Sequence, residues 1–99
     1  MPTILLKTLA PLTETSDAFD YADQIKTLMR HPPVNIGGFT LDQVKMAASI
    51  IKEVDQAEDG AFILGKAQWN YLCEMVRGAQ WALAAPQIVE FCDDVLEAV

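Results

Sequence analysis

Thr40 and Gln43 stand three residues apart at the head of an apolar stripe, and no other feature constrains the fold as tightly. A Thr at a helix N-cap bonds the N3 amide, while a Gln at N3 bonds back to the cap amide. Phe39 and Val44 occupy the flanking N′ and N4 positions of a hydrophobic staple. The pattern predicts a helix from here to Ala57–Glu58, ending before Gly60. Its apolar stripe reads Val44, Ala47, Ala48, Ile51 and Val54, with Leu41 and Ile50 on the flanks.

Three further helical stretches follow from the same reasoning. Phe19–Arg30 carries Tyr21, Ile25, Leu28 and Met29 at helical spacing. Asp17 or Asp20 can cap it, and His31-Pro32-Pro33 stops it. Lys66–Leu83 presents Trp69, Leu72, Cys73, Val76, Ala79 and Leu83, with Gly78 as a weak point. Pro86 suits the first turn of a last helix bearing Ile88, Val89, Phe91, Cys92, Val95, Leu96 and Val99. Glu90, Asp93, Asp94 and Glu97 fall on its other side.

Thr3–Leu9 (TILLKTL) reads as a strand ended by Pro11, and Leu12–Ala18 as a loop. Ala61–Leu64 is too short for periodicity to assign, but a strand there would give Thr3–Leu9 its missing partner. The expected fold is α+β and predominantly helical: about four helices with a small two-stranded sheet, in the order β-α-α-β-α-α. At 99 residues the chain suits one compact domain over its whole length, 1–99.

Charge and composition exclude several classes of function. Fourteen acids against seven bases leave a net charge of −7, which disfavours direct nucleic-acid binding and anionic membranes. No apolar run approaches the roughly 18 residues that span a membrane, and MPTILLKTLAPL lacks the form of a signal peptide. A cytoplasmic location is expected. Cys73 and Cys92 fall in apolar helical patterns and are expected to be reduced core residues.

Patterns that could carry chemistry fail on inspection. Asp55–Ile63 resembles the start of a calcium loop, with Asp59 fifth and Gly60 sixth. Ala57 then stands where an oxygen ligand is needed, and Lys66 replaces the bidentate Glu at position twelve. An acidic helix end before a glycine turn explains the segment. His31 has no metal-ligand spacing with either cysteine, and Gly37-Gly38 lacks a phosphate-loop fingerprint. Asp93 and Asp94 are adjacent, so they diverge on a helix, and a solvated acidic face accounts for them. No catalytic set, metal or cofactor is expected, and the chain reads as a non-enzyme.

The aromatic residues point elsewhere. Trp69, Tyr71 and Trp81 lie within thirteen residues, with Trp81 near an element end, where full burial is hard. A partly exposed Trp beside an apolar patch often marks a protein interface, and ordinary packing is the alternative reading of this group. Met29, Val34, Ile36 and Phe39 form a second candidate patch around the Pro-Pro turn. The candidate interface residues are therefore Phe39, Tyr71, Trp81, Ile36 and Met29.

The stretch DYADQIKTLMRHPPVNIGGFTLDQV, with the long helix and aromatic-bearing segment after it, is similar to small uncharacterised proteins encoded in phages and prophages. The similarity spans about residues 20–45. Such proteins often sit among virion-morphogenesis genes, so the resemblance implies an interaction protein of viral origin in the host cytoplasm and no particular chemistry. The expected function is a small protein-interaction or assembly factor that binds a protein partner or a second copy of itself as a dimer. The alternative is an acidic inhibitor imitating nucleic-acid charge, with acids gathered in Glu53–Asp59 and Glu90–Glu97. A small enzyme is the contrasting class.

Overall fold

In the computed structural model, residues 2–12, 17–30, 38–79, 81 and 84–98 are described. The strands are β1 (Thr3–Leu5), β2 (Thr8–Leu9), β3 (Phe19–Asp20) and β4 (Ala61–Ile63). The helices are α1 (Tyr21–Arg30), α2 (Leu41–Asp55), α3 (Lys66–Gly78) and α4 (Pro86–Leu96). The domain is α+β with helical content in the majority, as the sequence leads one to expect.

The expected partnership of the first strand with residues 61–64 is present. β1 and β4 pair antiparallel, with Thr3 opposite Ile63, Ile4 opposite Phe62 and Leu5 opposite Ala61. A second antiparallel pair, β2 with β3, corrects the expectation of one continuous strand over Thr3–Leu9 and of a helix beginning at Phe19. The reason is side-chain alternation. In one unbroken strand Thr8 would share the inward face of Ile4. The break at Leu6–Lys7 instead leaves Thr8 exposed and packs Leu9 against the core.

Tyr21, Ile25 and Met29 recur every four residues and form the buried face of α1. The capping box of α2 is formed in full. The Gln43 amide donates to Thr40 Oγ1 at 3.2 Å, and the Thr40 amide donates to Gln43 Oε1 at 2.9 Å. Thr40→Ala should therefore lower stability by about 1 kcal/mol. Urea unfolding measures this, and an unchanged midpoint would show that the first turn contributes nothing to the folded state.

The stripe of α2 is rotated from its expected phase. Ala47, Ile50 and Val54 are buried and Ile51 is half-buried, whereas Ala48 and Val44 are exposed. The helix meets α1, α3 and β4 along one side, and that line of contact sets the phase. An ion pair between Lys26 and Asp55 ties α1 to α2.

Asp59 (φ 56°) and Gly60 (φ 72°) make the turn into β4, with the Ala61 amide donating to Glu58 O at 3.2 Å. Two successive left-handed residues are what a type I′ turn requires, and Asp-Gly is one of the pairs that adopt it readily. Gly65 is the N-cap of α3, and its amide donates to Gln68 Oε1 at 2.9 Å. Gln68 Nε2 donates in turn to Ser49 Oγ at 3.1 Å, which joins α3 to α2. The helix ends at Gly78, earlier than the expected Leu83, which lies outside the described residues. The Trp69 indole N–H donates to Val95 O at 2.9 Å and joins α3 to α4.

Candidate interaction surface

An aromatic cluster centred on Phe91 positions the candidate surface. Phe91 has no exposed area and meets Tyr21 at 5.0 Å, Phe19 at 5.9 Å and Trp81 at 6.2 Å between ring centroids, each edge to face. Such pairs contribute about 0.5–1.5 kcal/mol beyond the area they bury. Trp81 is thereby held against the core while part of its surface stays open. Beside it lies a shallow apolar groove lined by Trp81, Ala84, Ala85, Ile88 and Val89. Val89 is 60% exposed at its rim.

The five expected interface residues separate in space. Trp81 lines the groove. Tyr71 is half-buried and lies off it, with a hydroxyl that is enclosed and has no hydrogen-bond partner among the described residues. Burial, aided by Glu74, pushes that phenol above its ordinary range. Phe39 is half-buried next to the capping box of α2. Met29, at 1% exposure, belongs to the core, because it continues the inward face of Tyr21 and Ile25. Ile36 falls outside the described residues, as does His31.

Ile88 and Val89 are expected on the apolar face of the last helix, but neither they nor the two alanines are among the expected interface residues. A signal was present, however. The last helix carries more apolar residues than a core-facing arc can cover. Ile88, Phe91 and Val95 fill that arc, and Val89 is the surplus. Among the described residues the other large apolar side chains left exposed are Leu5 and Ile63 on the outer side of the β1–β4 pair, and Leu41 and Val44 at the start of α2.

The acids also depart from a purely solvated reading. Asp94 is half-buried and accepts a hydrogen bond from the Tyr21 hydroxyl at 2.6 Å. Lys7 Nζ stands 3.0 Å from the same carboxylate oxygen. Burial works against the charge on Asp94, but the Tyr21 and Lys7 donors outweigh it and hold the carboxyl below its usual range. Lys7 is raised in return, chiefly by its bond to Asp94. Tyr21 is pushed well up by burial, then by the same carboxylate. Among the described residues the ion pairs are Lys7–Asp94 and Lys26–Asp55, so each acidic cluster has one member engaged internally.

Cys73 is buried and Cys92 half-buried, and both are free thiols. Burial raises both above the ordinary thiol value, which suits packing better than nucleophilic chemistry. Among the described residues no group of three or more His, Cys, Asp or Glu side chains is placed to hold a metal ion. No described helix is long and apolar enough to cross a membrane. Neither family models, curated proteins nor solved structures yield a match to this chain.

Proposed function

We propose that this domain is a small, non-catalytic interaction or assembly factor of phage origin, acting in the host cytoplasm through the groove beside Trp81. The observation that carries this reading is the groove itself: an apolar lining with a valine 60% exposed at its rim. A catalytic cleft brings polar groups together, whereas this surface offers an aromatic anchor point and aliphatic walls.

The decisive variant is Val89→Asp, which changes an exposed position and should leave the unfolding midpoint nearly unchanged. Wild-type protein is expected either to self-associate at micromolar concentration in sedimentation analysis or to retain a protein from its native extract. Val89→Asp should weaken that association at least about tenfold. Absence of both behaviours in the wild type, or an association indifferent to the substitution, rules the reading out. The acidic-inhibitor alternative draws less support, because Asp55 and Asp94 are tied to lysines of the same chain. It predicts competition with nucleic acid for a basic enzyme at low salt.

A further inference from the structure

We propose that the occupant of this groove is a basic amphipathic helix of another protein, seated along the exposed face of α4. The inference rests on the interaction reading above and adds the chemistry of the partner. The charge pattern at the helix ends carries that chemistry. α1, α2 and α3 each place a basic residue in the last turn, namely Arg30, Lys52 and Arg77. That arrangement suits the partial negative charge at a helix C-terminus.

α4 has no basic residue in its last turn. It carries Asp93 and Asp94 there, and Glu97 stands at the C-cap. Lys7 and Tyr21 compensate Asp94, but Asp93 and Glu97 are exposed and form no ion pair among the described residues. Two negative charges thus face solvent at the negative end of the helix dipole, an unfavourable arrangement in the free domain.

Helical geometry joins these charges to the groove. Val89, Asp93 and Glu97 succeed one another at intervals of four, so they run down one side of α4. With 1.5 Å of rise per residue, Asp93 lies about 6 Å and Glu97 about 12 Å along the axis from the apolar rim. A matching helix carries a large apolar side chain for the groove and Lys or Arg one and two turns away. A second copy pairing through α4 lacks the countercharge, since no Lys or Arg lies within α4.

The test uses two synthetic helical peptides of about 18 residues, one with a leucine anchor and lysines four and eight positions on, the other with glutamates in place of the lysines. Calorimetry at low salt should show binding of the lysine peptide alone. The double variant Asp93→Asn/Glu97→Gln, at exposed positions, should weaken that binding about tenfold, and so should raising the salt to about 0.5 M. Val89→Asp should also weaken it. Equal binding of both peptides, binding of neither, or indifference to the double variant overturns the proposal. Self-association that depends on Val89 makes a second copy the occupant and overturns it as well. A native partner held through Val89 but insensitive to salt would leave the groove reading standing and remove only the basic occupant.

Discussion

Phe91→Ala should cost the domain about 3–5 kcal/mol, the range for removing a large buried aromatic side chain. Phe91 has no exposed area and is the ring that Phe19, Tyr21 and Trp81 share. Its loss removes transfer energy, three edge-to-face contacts and the support behind Trp81 at once. Domains of this size have only about 5–15 kcal/mol of stability in total. The thermal midpoint should therefore fall by roughly 12–40 °C, at about 4–8 °C per kcal/mol. Thermal and urea unfolding both measure this, and a loss under about 1.5 kcal/mol would place the structural centre elsewhere. Phe91→Leu keeps more of the volume and should be milder. It should nevertheless loosen Trp81, which would show as a red-shifted tryptophan emission.

The second large effect is expected at Asp94. Asp94→Ala leaves the Tyr21 hydroxyl without its acceptor, and a hydrogen bond to a charged group contributes about 1.5–3 kcal/mol; it also takes away the partner of Lys7. The pH dependence has a definite sign. The folded-state pKa of Asp94 is depressed below its ordinary value of 3.8. The stabilisation is thus complete above that value and is lost as pH falls through the folded value. On the alkaline side Tyr21 and Lys7 are both raised from their ordinary values of 10.0 and 10.5. Their contribution is complete below pH 10 and declines above it. Stability measured against pH in wild type and Asp94→Asn should converge in acid and separate near neutrality. Parallel curves would mean that Asp94 titrates as an ordinary surface carboxylate.

What the sequence disclosed and what it hid divide along the range of the interactions. The Thr40–Gln43 box was legible because cap and helix are neighbours in the chain. The Asp59-Gly60 turn was legible for the same reason. The β1–β4 partnership emerged by need, since an apolar strand without a partner is untenable. β2 and β3 escaped notice because two-residue strands have no periodicity to read. In α2 the period was right and the phase was wrong: Val44 and Ile50 are equally apolar, and only the neighbouring elements decide which turns inward. Asp94 looked like its neighbour Asp93, and nothing local announces a tyrosine 73 positions away. Trp81 was recognisable as a difficult residue to bury, whereas Val89 was concealed by its resemblance to the core residues around it.

The antiparallel pairing of β1 with β4 also has a bearing on the order of folding events. Thr3 cannot find Ile63 until the intervening chain has been synthesised, and Tyr21 cannot find Asp94 until α4 exists. α1 and α2 need only nearby residues to nucleate, so they can form while the first strand is still unpaired. Such a chain gathers its helices first and closes its N-terminal edge afterwards. Pulsed hydrogen exchange during refolding should then protect the α2 amides before those of Leu6 and Leu64, which bond Gly60 O and Pro2 O across the seam. During that interval Ile4 and Leu6, which the folded domain packs into its core, would remain uncovered and open to a chaperone or to misassociation.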